Sequence, residues 1–209
     1  MHVELASLVA TATVIPCQRA HLTTGLLGKR QDGSIAWWGK GLFWPYHVVL
    51  RSKLAVQKLY STENPYDKIL EGWYLGAWPK NNLMMHLPPG GVAVVDCTCE
   101  LPKKHDQPYL ALPTWDTHAS SVEQIQRGVD FALKYRAEGR PVFIHCAHGH
   151  GRSTVVLSAA MVAAGHADDT MQAYQAIRVQ RPGANLNVRQ LTALTKWEAQ
   201  WQSQLPSHS

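Results

Sequence analysis

The sequence predicts an α/β fold: a central, mainly parallel sheet flanked by helices, carrying an irregular and partly helical N-terminal extension. Three features predict it. Residues 92–97 (VAVVDC) and 142–145 (VFIH) are continuously apolar and rich in β-branched side chains, as strands buried on both faces are. Segments of helical periodicity stand between and after these runs. The second run also passes through a short glycine-containing loop directly into a segment that is apolar nearly all round, which reads as a buried helix.

At roughly 100 to 200 residues per domain, 209 residues fit one domain with an extension. The expected division is 1–65 for the extension and 66–209 for the main domain. Residues 5–15 are apolar, but no Lys or Arg precedes them, and the run is shorter than the roughly 20 residues of a membrane span. Neither a signal peptide nor a transmembrane helix is read there. Residues 37–50 (WWGKGLFWPYHVVL) crowd aromatic side chains around Pro45, with Arg51 and Lys53 beyond. That composition suits a membrane interface or, on the plainer reading, an arm packed on its own domain. Apolar spacing predicts a helix over 48–60, and 61–65 (STENP) reads as a linker.

In the main domain, 92–97 is a buried strand and 108–112 (PYLAL) a shorter one. Ser120 with Glu123 reads as a capping box for a helix carrying Val122, Ile125, Val129, Phe131, Leu133 and Tyr135, which Gly139 ends. Residues 142–145 are the central strand and 153–164 the buried helix. Asp169 caps a helix that runs through Arg178 and stops at Pro182 and Gly183; Asn187 with Gln190 caps a last one through Trp201.

With 20 Lys and Arg against 15 Asp and Glu, and 11 His besides, the chain favours anionic partners such as phosphate esters or acidic membrane surfaces. The basic residues form no single run and no nucleic-acid motif appears, so nucleic acid is not an expected partner. Four cysteines, Cys17, Cys97, Cys99 and Cys146, are too sparse for a disulfide scaffold. A reducing, cytoplasmic setting is expected, with membrane association through the aromatic segment as its variant.

The chemistry concentrates in the loop His145-Cys146-Ala147-His148-Gly149-His150-Gly151-Arg152-Ser153. A strand that stops at Cys146, glycines at 149 and 151, and a helix starting near Arg152 can turn successive backbone N–H groups toward one point. The helix start adds its partial positive charge, which makes an anion site. A cysteine at the base of that site is favoured as thiolate. Arg152 offers a planar cationic fork for two equatorial oxygens of a bound phosphoryl group.

The spacing His145-Cys146-x-x-Gly149-x-x-Arg152-Ser153 resembles the signature of the dual-specificity phosphatase family within the cysteine-dependent protein tyrosine phosphatase superfamily. The segments 67–78 (DKILEGWYLGAW) and 96–102 (DCTCELP), and Arg181-Pro182 followed by Asn187, are similar to that family too. The resemblance spans about 66–201 and implies a hydrolase of phosphate monoesters with no cofactor and no metal. It assigns Cys146 as the nucleophile that becomes phosphocysteine and Arg152 as the phosphate-binding cation. Asp116, in the run LPTWD about thirty residues upstream, becomes the general acid, and Ser153 the donor that steadies the leaving thiolate. The loop positions Ala147, His148, Gly149, His150 and Gly151 bind phosphate, and His145 supports the loop. Asp96 and Asp106 are weaker candidates for the acid.

No segment is long enough to deepen the pocket for phosphotyrosine alone, so a dual-specificity protein phosphatase is the leading expectation. The alternative is a lipid phosphatase acting on a phosphoinositide or a phosphatidylglycerophosphate-like headgroup. Relatives of that kind often carry Lys or Arg in the loop, where this chain has His148 and His150. A phosphate-binding adaptor without activity is a remoter alternative. A zinc site from His145, Cys146, His148, His150 and the Cys97-Thr98-Cys99 run is disfavoured, since alternating residues of one short loop cannot converge on a single ion. Cys97 and Cys99 read as core fillers, or as partners for an oxidised Cys146.

Overall fold

A computed structural model describes residues 24–79 and 86–204 of the chain. The apolar run at 5–15 and Cys17 lie outside the described residues. After a 3-10 turn at Thr24–Leu27 come helices α1 (Trp37–Leu42) and α2 (Trp44–Tyr60), then strands β1 (Tyr66–Leu70), β2 (Trp73–Gly76), β3 (Ala93–Asp96) and β4 (Tyr109–Ala111). Helix α3 (Val122–Ala137), strand β5 (Val142–His145) and helices α4 (Arg152–Ala163), α5 (Thr170–Gln180) and α6 (Val188–Gln204) complete the order.

The sheet runs β1-β2-β5-β3-β4, with β5 at its centre. β2, β5, β3 and β4 are parallel, and β1 joins antiparallel to β2. Alternation along the strands divides the core. Trp73, Leu75, Ala93, Val95, Val142 and Ile144 face a large cluster shared with helices α3 to α6, while Val94, Phe143, Tyr66, Tyr74 and Tyr109 form a smaller layer on the opposite face. Both faces of β3 and β5 are therefore buried, which is why the runs 92–97 and 142–145 lack polar alternation. The register aligns Gly76 and Asp96 with His145 on either side of β5. The loops after these strands thus leave from one edge of the sheet, the usual place for a ligand site in parallel architectures.

Local departures from the expected elements have physical reasons. Helix α2 begins at Trp44 rather than 48, because Pro45 falls in its first turn, where a missing N–H costs nothing. The capping box of α3 is Ser121 with Gln124, not Ser120 with Glu123: Ser121 Oγ accepts from the Gln124 N–H, and Gln124 Oε1 accepts from the Ser121 N–H. Ser120 Oγ pairs with Thr114 Oγ1 instead. Residues 61–65 are not a bare linker, since Glu63 and Asn64 make tertiary contacts.

Residues before Tyr66 also enter the core. Leu27 and Phe43 pack with Cys99 and Trp115. The Lys29 side chain is buried, and its Nζ donates to Asp96 Oδ2 at 2.6 Å and to the Thr98 carbonyl at 2.7 Å. Burial opposes charge on Asp96, but Lys29 and His145 outweigh it and hold the carboxyl below the usual carboxylate range. Replacing Lys29 by Met would strand that carboxylate. We expect a loss of about 3–5 kcal/mol of stability, read as a lower urea midpoint, the usual cost of removing one partner of a buried pair. An unchanged midpoint would contradict a structural role for this segment.

Candidate active site

The loop after β5 places Cys146, a residue 4% exposed, at its floor. Sγ accepts hydrogen bonds from the Gly149 N–H at 3.2 Å and the Ser153 hydroxyl at 3.3 Å. The loop's orientation follows from what its carbonyls do. Ala147 O accepts from the Trp78 N–H at 3.2 Å, and His150 O from the Asn185 N–H at 3.0 Å and Thr154 Oγ1 at 2.7 Å. His148 O and Gly149 O accept from Arg181 Nη2 and Nε at 2.8 and 3.0 Å. In a planar trans peptide, a carbonyl tied outward turns the following N–H inward. Four tied carbonyls therefore aim the N–H groups of His148, Gly149, His150 and Gly151 toward the interior of the loop.

Gly149 has φ +76°, and a Cβ there would overlap the Gly76 backbone. Only glycine suits that turn. Helix α4 begins at Arg152 without a side-chain cap, so its first N–H groups stay open to an anion.

Arg152 is buried. Its Nη1 donates to Glu100 Oε1 and Oε2 at 2.9 and 3.0 Å and to the Thr114 carbonyl at 2.9 Å. Its Nη2 lies 3.2 Å from Asp116 Oδ1. Asp116, Thr117, Cys146, His148, His150, Gly151, Arg152 and Gln190 line one cleft of about 210 Å³. Burial disfavours the Cys146 thiolate, but the Arg152 charge, the Ser153 hydroxyl and the N–H groups of Ser153 and His148 outweigh it and lower the thiol's pKa.

The structure thus brings Cys146, Arg152 and Asp116 together, with Ser153 behind the sulfur. His145 stands outside the cleft: its Nδ1 lies 3.2 Å from the Cys146 carbonyl, and burial outweighs the opposing pull of Asp96 and lowers its pKa. Ala147 and Gly149 shape the loop rather than line the cleft. Asp96 is committed to Lys29, Thr98 and Tyr109. Cys97 and Cys99 are buried free thiols, and burial raises the pKa of both. Among the described residues no group of three or more His, Cys, Asp or Glu is placed to hold a metal ion.

Several supporting residues have no local signal in the sequence. Glu100, 2% exposed, holds Arg152 from the loop after β3. Glu63 meets His150 at 2.7 Å. Asn187 and Gln190, legible as the cap of α6, also hold the loop after Asp116: Asn187 Nδ2 donates to Thr117 O and Gln190 Nε2 to His118 O. That grip offsets the unfavourable positive φ of Thr117, +63°.

Two outcomes are expected. Alkylation of Cys146, followed against pH by mass mapping of its peptide, should report ionisation below the free-thiol value of about 8.5. The midpoint should rise in Ser153→Ala and in Arg181→Lys, although Arg181 never touches the sulfur. Glu100→Ala, which leaves a buried guanidinium uncompensated, should cost about 3–5 kcal/mol in denaturant unfolding.

Comparison with known proteins agrees with this geometry. Residues 74–200 match the family model "Dual specificity phosphatase, catalytic domain". The chain is 33% identical over 92 residues to the human "Phosphatidylglycerophosphatase and protein-tyrosine phosphatase 1", covering 44% of this chain and 45% of that protein. It is 30% identical over 173 residues to the Arabidopsis thaliana "Phosphatidylglycerophosphate phosphatase PTPMT1", covering 77% and 48%. The chain spans about half the length of the curated relatives it matches. Among solved structures, PTPMT1 in complex with PI(5)P superposes with a TM-score of 0.59 at 25% identity, over 67% of this chain and 98% of that one. Tk-PTP in its active form superposes at 0.58 and 26% identity, over 65% and 97%. The chain belongs to the dual-specificity phosphatase catalytic-domain family, within the protein tyrosine phosphatase superfamily.

Proposed function

We propose that this chain hydrolyses phosphate monoesters on phospholipid headgroups through a phosphocysteine intermediate at Cys146. The observation that carries the chemistry is a buried sulfur under an inward-facing ring of amides, with Arg152 and Asp116 at the cleft. The thiolate attacks phosphorus in line, and the S–P bond forms as the ester P–O bond breaks. Asp116, as the carboxylic acid, gives its proton to the departing oxygen. Arg152 and the loop amides hold the equatorial oxygens as charge spreads over them. The Asp116 carboxylate then takes a proton from water, whose oxygen attacks phosphorus. The S–P electron pair returns to sulfur, where Ser153 and the Gly149 N–H receive the charge.

The choice of a lipid over a phosphoprotein reverses the order expected from the sequence. It is supported by the two relatives named for phosphatidylglycerophosphate and by the phosphoinositide complex among the similar structures. The loop histidines narrow the reading further. Burial, followed by the neighbouring His150, lowers the pKa of His148, and His150 is engaged with Glu63. His148 therefore supplies no permanent cation for a second phosphate, and the Glu63 carboxylate beside His150 would repel one, so a headgroup with one phosphomonoester is the better fit.

The test compares wild type, Cys146→Ser and Asp116→Ala on phosphatidylglycerophosphate, a monophosphorylated phosphoinositide, and phosphotyrosine and phosphoserine peptides. Cys146→Ser should abolish turnover of all four. Asp116→Ala should slow lipid hydrolysis by about 10² to 10⁴-fold, the range for a general acid. A kcat/KM higher for either peptide than for both lipids would return the protein reading to first place.

A further inference from the structure

We infer that helix α2, with α1 beside it, docks on an anionic phospholipid bilayer and so brings the cleft to its membrane substrate. At about 100° per residue, Trp44, Val48, Val49, Val56, Leu59 and Tyr60 occupy one arc about 160° wide. Each of them is exposed, from 49% for Trp44 to 85% for Tyr60. The opposite side carries Phe43 and His47, both buried, so the exposed arc is the outer face of a helix already seated on the protein. Exposed Trp37, at 82%, extends the apolar surface onto α1. A continuous exposed patch of this composition marks an interaction site.

Charge selects the occupant. Residues 33–62 contain no Asp or Glu but carry Lys40, Arg51, Lys53 and Lys58. On the same projection Arg51 and Lys53 flank the apolar arc, about 20° beyond its two edges. Cations bordering an apolar stripe with aromatic residues at both ends match a headgroup layer, where amphipathic rings and basic side chains meet anionic lipid. A second copy would oppose two cationic borders, and lysine is depleted in protein interfaces. Among the described residues no helix is long and apolar enough to cross a membrane, so the contact is peripheral.

The helix is also tied to the surroundings of the cleft at both ends. At its start, Phe43 and Tyr46 pack in the cluster that holds Trp115, the neighbour of Asp116. Just beyond its end, Glu63 grips His150 in the phosphate loop. The Lys53 charge is near enough to His148 to disfavour its protonated form.

This inference deepens the lipid reading, and flotation separates the two. The probes are phosphatidylcholine vesicles with and without phosphatidylglycerol, neither of which holds a phosphomonoester. The proteins are wild type, Val49→Glu/Leu59→Glu and Arg51→Glu, each also assayed on a soluble aryl phosphate. Wild type should float with the anionic vesicles, and less so as salt rises. Each variant should lose on the order of tenfold in vesicle affinity, with aryl phosphate turnover unchanged. Equal flotation of the variants, indifference to anionic lipid, or a dimer that Val49→Glu/Leu59→Glu dissociates would overturn the proposal. Flotation as expected with no lipid hydrolysis would leave docking standing and sink the lipid-substrate reading.

Discussion

Negative charge on the sulfur of Cys146, a residue 4% exposed, must be matched largely by the protein, because burial strips most of its hydration. Loop amides, the Ser153 hydroxyl and the Arg152 guanidinium supply that match. Arg152 is itself buried and would be costly alone, so Glu100 accepts two hydrogen bonds from it and the Thr114 carbonyl a third. Sulfur, guanidinium and carboxylate form a set in which each charge depends on its neighbours. The same guanidinium reaches Asp116, so the loop carrying the proposed acid is oriented by the group proposed to bind phosphate.

Most of the remaining architecture keeps that set in place. Arg181 lies outside the cleft, yet it holds the carbonyls of His148 and Gly149 and thereby decides where the next two N–H groups point. Its Nη1 is anchored by Asp67, next to the start of β1, so the first strand braces the loop from behind. Asn187 and Gln190 couple the start of α6 to the loop that follows Asp116. Lys29, from the N-terminal segment, neutralises Asp96 beneath His145. The loop of Cys146 is thus fixed by contacts from residues far apart in the chain, Glu63, Trp78, Arg181 and Asn185 among them, which suits a reaction that requires preorganised donors.

What was legible in the sequence was local. The run 142–145 could be read because all four of its residues are buried, and Asp169 and Asn187 could be read as caps because capping is a three-residue affair. The loop from Cys146 to Ser153 stands out through its resemblance to the family signature, and Asp116 through the place that resemblance gives the acid. The β1–β2 hairpin was not anticipated, since these short strands carry mixed burial and no continuous apolar run. The tandem Ser120-Ser121 offered two caps, and Thr114, six residues upstream, claimed the first of them. Glu100, Lys29 and Glu63 act across separations of 52, 67 and 87 residues, where no sequence spacing points to a partner. The ranking of substrates was likewise out of reach of composition, because histidines in the loop do not reveal which of them burial and Glu63 have already engaged.

The central claim is that Cys146 carries the phosphoryl group between substrate and water. Acid quenching of the wild-type protein within its first turnover of phosphatidylglycerophosphate, followed by mass spectrometry of the peptide containing Cys146, addresses it directly. That peptide should carry one added phosphoryl group, which is lost as turnover completes. Product formation with an unmodified Cys146 throughout, or a phosphoryl group on a different residue, would contradict it.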